Sequence, residues 1–222
     1  MGDTTKKSFL IFGSNGAIGG KCKVILSKNY HVFTSGHDEV ELINDLKSIN
    51  KLDGVIWAQG INVNDSIQTF EFLSFSQVLE ANVTFVLKSL KLLLQENKIG
   101  NGSQLVILSS IWSNIARPNK LSYSISKSAI NGLVRSVATD LGSLGISINS
   151  ISPGPIDTPM TRTALSENDI KKIISENPLG QLITLNQVAE IVCLFAEGKL
   201  SGVQGQDLII DGGWGFSKLV SN

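Results

Sequence analysis

Residues 9–20 read Phe9-Leu10-Ile11-Phe12-Gly13-Ser14-Asn15-Gly16-Ala17-Ile18-Gly19-Gly20, and a helical stretch with Val24, Ile25 and Leu26 follows. Four apolar residues running into a glycine-rich turn have the character of a short buried strand. The glycines permit a tight turn and a close approach by other backbone. The helix that begins there offers free N–H groups at its first turn, an arrangement suited to a pyrophosphate. A glycine-rich turn alone is equally compatible with a plain structural loop, so the rest of the chain has to decide.

Further runs of strand character lie near 30–35, 53–58, 104–110, 146–152 and 206–211, after the first at 8–13. Helical periodicity occupies 17–28, 40–50, 68–96 with a break around Ser74, 122–142, 167–176 and 186–197. Strands alternating with helices predict an α/β fold: a doubly wound, mostly parallel sheet flanked by helices, Rossmann-like. No Pro- or Ser-rich linker interrupts the chain, and residues 1–222 are read as one domain with a substantial core.

The chemistry-bearing residues cluster around the fourth of these runs. Gln104 to Leu108 is an apolar strand ending in Ser109 and Ser110, and Tyr123 lies four residues before Lys127. Spacing of four puts phenol and ammonium on one helix face, a turn apart. A phenol titrates near pH ~10, and a neighbouring cation favours its ionised form. Ligands of open parallel sheets bind beyond the carboxyl ends of the strands. Ser110, the Pro153-Gly154 turn and Tyr123 can therefore share one crevice. The bland alternatives are a strand-ending Ser110, a solvated helix face for Tyr123 and Lys127, and a helix-interior polar residue for Asn82.

The glycine turn, Asn82, Ser110, Tyr123 and Lys127, in that order, resemble the short-chain dehydrogenase/reductase family, in its single-domain group with a YxxxK motif. The resemblance runs from Phe9 to about Gly215. It implies catalytic roles for Ser110, Tyr123 and Lys127, with Asn82 as a fourth catalytic residue. It implies cofactor contacts from Gly13, Ser14, Asn15, Gly16, Ile18 and Gly19, from Ser35, Ala58 and Gly60, and from Tyr123, Lys127, Pro153, Ile156 and Thr158. Asp211-Gly212-Gly213-Trp214 resembles the family's terminal DGG motif. The implied reaction is hydride transfer between NAD(P)(H) and a carbonyl or alcohol, read as reduction of a ketone. In it Tyr123 donates the proton, Ser110 holds the oxygen, and Lys127 lowers the phenol's pKa and grips the nicotinamide ribose. Asn82 anchors a water. The alternative is a catalytically weak, nucleotide-sensing member of the same fold.

Three departures from the family pattern stand out. In T-G-x-x-x-G-x-G, Phe12 replaces Thr and Ala17 replaces the middle Gly, with Gly16 one position early. In place of N-N-A-G stands Trp57-Ala58-Gln59-Gly60, and Gln59 is the candidate to replace the lost Asn support. Between the second strand and Gly54 only residues 36–54 remain, where the family fits a helix, a strand and a helix. One helix is expected to be missing, with the intervening strand short or lost.

The second strand ends Phe33-Thr34-Ser35-Gly36-His37, with no carboxylate where an NAD site places one. NADP is therefore slightly favoured over NAD, although Asp38 could swing back to the ribose. Trp112 could wall the pocket, Arg117 and Asn119 could touch substrate, and residues 158–180 are placed as a flap over it. Trp57 and Trp214 are read as packing residues, His31 and His37 as surface or turn residues.

Lys plus Arg equals Asp plus Glu, at 19 each, and no basic run is present, so neither nucleic acid nor a membrane surface is expected as partner. No apolar run reaches transmembrane length, the amino terminus lacks a signal core, and Cys22 and Cys193 have no metal-ligand spacing. A cytoplasmic protein acting on a small carbonyl or alcohol follows. Apolar or small residues on more than one face of 68–96 (Val83, Val86, Leu87, Leu90, Leu94) and 122–142 (Ala129, Gly132, Ser136) predict a homo-oligomer, a tetramer or dimer.

Overall fold

Strand β1 (Ser8–Phe12) sends Phe9 and Ile11 to one face of the sheet and Leu10 and Phe12 to the other, and all four are fully buried. A strand buried on both faces needs helices on both sides. The computed structural model describes residues 6–36 and 39–217, apart from the side chains of 39–41, 159, 160 and 164.

The chain runs β1, α1 (Ala17–Leu26), β2 (His31–Ser35), α2 (Glu39–Leu46), β3 (Gly54–Trp57), α3 (Phe72–Leu79) and α4 (Phe85–Gln95). It continues through β4 (Gln104–Leu108), α5 (Leu121–Leu141), β5 (Ser147–Pro153), β6 (Ile156–Asp157), α6 (Pro159–Ala164) and α7 (Glu167–Glu176). It then passes through β7 (Ile183–Thr184), α8 (Leu185–Ala196) and β8 (Asp207–Ile210). The main sheet has the order β2-β1-β3-β4-β5-β8, with every pairing parallel. On one face Leu10, Phe12, Trp57 and Ile107 pack with Leu46 of α2, Leu93 of α4 and Ile130 of α5. On the other, Phe9, Ile11, Ile56 and Val106 pack with Cys22 of α1 and Val192 of α8. Cys22 and Cys193 are buried free thiols that face each other across α1 and α8. Cys193 and burial together push the Cys22 thiol well up.

Because β2 and β3 flank β1 on opposite sides, the winding direction reverses there, and a crevice opens at the carboxyl ends of β1 and β3. α2 alone makes the crossing from β2 to β3. Among the described residues no strand lies outside β2, as the shortened 36–54 region predicts.

Three details differ from the sequence reading. The helix expected at 68–96 begins at Phe72, because 66–69 forms a turn and Glu71 is extended. Its irregularity is not at Ser74 but is a π-helical turn, Glu80–Thr84. α6 and the small β6–β7 sheet went unforeseen, being too short for periodicity to register.

Candidate active site

The crevice begins at the glycine turn. Gly13 has φ +75°, and a Cβ there would fall 2.5 Å from the Gln59 amide nitrogen. A Cβ on Gly19 would fall 2.4 Å from the Gly13 carbonyl oxygen. These two positions need glycine so that turn, helix α1 and the end of β3 can pack. Gly16 is different: it caps α1 in an extended conformation (φ −79°) with more room around it. A cleft of about 640 Å³ opens here between Gly13, Ser14, Asn15 and Gly16 on one side and Ser35, Ala58 and Gly60 on the others. Buried Ser35 Oγ and Gln59 Oε1 have no hydrogen-bond partner among the described residues. A cradle that only glycine allows, a helix N-terminus and an orphaned hydroxyl at the end of β2 fit a dinucleotide.

A second cavity, about 390 Å³, continues from it along Ala58, Gly60 and Ile18 to Ser110, Tyr123 and Lys127, with Ile156 and Thr158 on the far wall. Ser110 caps a short 3₁₀ turn (Ile111–Ser113), its Oγ accepting from the Trp112 amide at 3.3 Å. Burial pushes the Tyr123 phenol above its usual value, and the Ser110 side chain beside it pulls it partly back. Lys127 is buried; its Nζ donates to the Leu108 carbonyl at 2.8 Å and lies 5.7 Å from the Tyr123 ring centroid. Burial lowers its own pKa to about 8.

Asn82 stands in the π turn with its side chain fully engaged. Oδ1 accepts from the Ile61 amide (2.8 Å), and Nδ2 donates to the Ile61 carbonyl (3.0 Å) and to Ser126 Oγ (2.9 Å). Gly60 leaves the space for this: a Cβ there would sit 2.9 Å from Asn82 Oδ1 and 3.5 Å from Lys127 Nζ. Pro153 ends β5 opposite Ile210, and Thr158 caps α6 by accepting from the Thr161 amide. Asp211 closes the DGG turn, accepting from the Gly213 and Gly215 amides at 2.8 and 2.7 Å.

A third cavity, about 550 Å³, adjoins Ser110. Trp112, Arg117, Lys120, Leu165, Ile173 and Trp214 are among its walls, so α7 forms one side of it. Trp112 and Trp214 meet edge to face, centroids 5.8 Å apart.

A family model described as enoyl-(acyl carrier protein) reductase matches residues 38–215. The chain belongs to the short-chain dehydrogenase/reductase family. It is an NAD(P)-dependent oxidoreductase of that family, acting on alcohol and carbonyl groups. The 3-oxoacyl-(acyl-carrier-protein) reductase FabG of Rickettsia conorii is 27% identical, over 96% of this chain and 98% of its own. A short-chain dehydrogenase family protein from Francisella tularensis is 25% identical with a TM-score of 0.83, over 94% of this chain and 98% of its own. The structure of ElxO with NADP bound is also 25% identical, with a TM-score of 0.82 over 94% and 98%.

Two departures of this short-chain dehydrogenase/reductase from its family pattern are neighbours in space. Phe12 and Trp57 are register partners across β1 and β3 and stack with centroids 5.7 Å apart. Phe85 meets Phe12 edge-on at 5.3 Å, and Trp57 Nε1 donates to Ser89 Oγ at 2.8 Å. An aromatic cluster thus occupies the places of a Thr and an Asn. Gln59 lines both the glycine-turn cleft and the Ser110 cavity, and its Oε1 has no hydrogen-bond partner among the described residues.

Sequence reasoning missed Asp65 and Lys120. Asp65 is buried; its carboxylate accepts from the Ser122 amide (3.0 Å) and bonds the Ser122 hydroxyl, and its carbonyl accepts from the Leu121 amide. It latches the start of α5, one residue before Tyr123. Lys120 Nζ lies 5.7 Å from the Tyr123 ring centroid. Its position three residues before Tyr123 was the available signal. Trp57 is core, Trp112 and Trp214 wall the third cavity, and His31 is exposed. Asn119 turns left-handed at φ +58°, while His37 and Asp38 lie outside the described residues.

Proposed function

We propose that the protein is an NADP(H)-preferring reductase of a small ketone, with Ser110, Tyr123, Lys127 and Asn82 as its catalytic residues. The observation that carries this is the convergence of Ser110, Tyr123 and Lys127 on one cavity continuous with the glycine-turn cleft. When bound, the nicotinamide cofactor supplies the hydride. Ser110 hydrogen-bonds the substrate oxygen, and Tyr123 gives it a proton. Burial keeps the phenol protonated at neutral pH, the form that can give the substrate oxygen its proton. Lys127 restores the charge balance beside the phenol, and Asn82 fixes the Gly60–Ile61 segment after β3 that borders both. Gly13 through Gly16, Ile18 and Gly19 would hold the pyrophosphate, with Ala58, Gly60, Pro153, Ile156 and Thr158 along the rest of the cofactor.

The absence of a carboxylate from the described end of β2 and a Ser35 Oγ without a partner among the described residues support NADP(H), as does the likeness to ElxO, a protein solved with NADP bound. Exposed Phe72 and Leu73 on α3, Leu87 on α4 and Ile125 on α5 support a homo-oligomer, with a second copy covering these helices. The buried reduced pair Cys22 and Cys193 supports a cytoplasmic setting, and one domain accounts for the whole chain.

The test is Tyr123→Phe, assayed for NADPH oxidation over a panel of ketones. Turnover should fall by ~10²–10⁴ with melting temperature and NADPH binding retained. Undiminished turnover would overturn the assignment, and tighter binding of NADH than NADPH would overturn the cofactor preference.

A further inference from the structure

Two cations stand at the mouth of the third cavity without a counter-ion. Lys120 Nζ is held by two neutral acceptors, Asn62 Oδ1 at 2.9 Å and Asn64 Oδ1 at 2.7 Å. Arg117 lies against Trp112, with its Cζ 5.7 Å from the ring centroid. Among the described residues neither makes a salt bridge. Acids are close by, but they are committed elsewhere. Asp169 is near enough to feel Arg117, yet its carboxylate takes the Ser166 amide and hydroxyl at 3.1 and 2.6 Å. Glu176 accepts from Trp214 Nε1 at 3.1 Å and pairs with Lys172 at 3.9 Å. Asp65, behind Lys120, is occupied by Ser122.

Lys120 is half-buried and Arg117, exposed beside it, adds a second positive charge, a free-energy cost that an anion between the two would offset. Burial first, then Arg117, lowers the Lys120 pKa, and the Asp65 carboxylate behind it offsets this only in part. Among the described residues the ammonium keeps one donor free and the guanidinium all of its own. The same cavity reaches Ser110, so a ligand on these cations has its other end at the reacting site.

We propose that the ketone substrate carries an anionic oxygen group, a carboxylate or a phosphate, which Arg117 and Lys120 bind while its carbonyl lies against Ser110 and Tyr123. The proposal rests on the reductase reading above. The substrate is short, because Lys120 Nζ is 5.7 Å from the centre of the proton-donating ring. Its anionic group takes no part in bond making.

The experiment uses two matched pairs of probes on the full chain: acetoacetate against methyl acetoacetate, and dihydroxyacetone phosphate against dihydroxyacetone. In the wild type, kcat/KM with NADPH should favour the charged member of one pair by roughly 10- to 100-fold, the scale of hydrogen bonds to a charged group. Which pair shows it tells carboxylate from phosphate. The preference should lie in KM and weaken as salt rises from about 0.05 to 0.5 M. It should collapse toward one in Arg117→Gln and Lys120→Met and survive in Lys120→Arg. A binding arm is independent of turnover: quenching of tryptophan fluorescence by each charged probe in Tyr123→Phe, alone and combined with Arg117→Gln. Binding that the added substitution abolishes supports the proposal. No charge preference in either pair with no saturable binding of either charged probe overturns it, as does a preference that persists in the Arg117→Gln/Lys120→Met protein. Tyr123→Phe that still turns over ketones sinks the reductase reading instead, and the binding arm then decides the anion site alone.

Discussion

At the Ser110 end of the crevice, side chains present the reacting atoms, and the sheet and α5 hold each one. Lys127 hangs from the Leu108 carbonyl, and Asn82 from Ile61 and Ser126. At the Gly13 end, backbone does most of the presenting, with the Ser35 hydroxyl beside it, and Phe12 and Trp57 behind it serve to pack. That is why the first end keeps the family's residues while the second has exchanged a Thr and an Asn for Phe12 and Trp57. A contact made by main chain tolerates any neighbour that leaves the backbone where it was.

Gly13→Ala tests this contrast most severely. The added methyl meets three backbone atoms within 2.7 Å at a positive φ. We expect a loss of about 3 kcal/mol in urea unfolding and no saturable NADPH fluorescence. Gly16→Ala, extended and less crowded, should stay within about 0.5 kcal/mol of wild type and bind NADPH. Equal damage from the two would show that the early Gly16 has taken over a strained position.

The aromatic exchange is the next target. Phe12→Thr and Trp57→Asn should each cost about 2–4 kcal/mol by emptying a core site. The double variant should cost less than their sum by about 1 kcal/mol, because the two rings stack on each other. Additive losses would mean that the exchanges are independent.

Lys127 offers a smaller effect with a definite sign. Its pKa in the folded chain is about 8, against the usual 10.5, so the unfolded chain holds the proton more tightly between those values. Stability must then rise as pH rises through that window. Wild type should gain roughly 2 kcal/mol relative to Lys127→Met between pH 7 and 9.5 in urea titrations. Parallel curves would indicate that the ammonium is better solvated than its burial implies.

Asp65→Ala should give the smallest change, about 1 kcal/mol of stability, as for loss of a helix cap. Because the latch lies beside Tyr123, kcat should fall while KM for NADPH does not move. A fall in NADPH affinity instead would place Asp65 at the cofactor.

What the chain revealed in one dimension follows the same division. Strand β1, the glycine turn and the Tyr123–Lys127 spacing are local patterns, and each lies where the sequence reading put it. The Phe12–Trp57 stack is not local: it exists only because β1 and β3 pair in one register. Lys120 is fixed by Asn64, 56 residues away, so its place at the cavity mouth depends on a loop whose path no periodicity encodes. The π turn at Asn82 was misplaced for a like reason, since its partners Ile61 and Ser126 belong to other elements.

That wide turn also keeps count of the chain. A π turn accommodates one residue more than an α turn, which swings everything after it by about 100° around the axis. The buried stripe of α4, with Phe85, Val86, Leu90 and Leu93, is aimed by that extra residue. Deleting any one residue of Glu80–Thr84 would give a more regular helix and point this stripe away from the sheet. Here a change in length, rather than in composition, is the lesion the fold can least absorb.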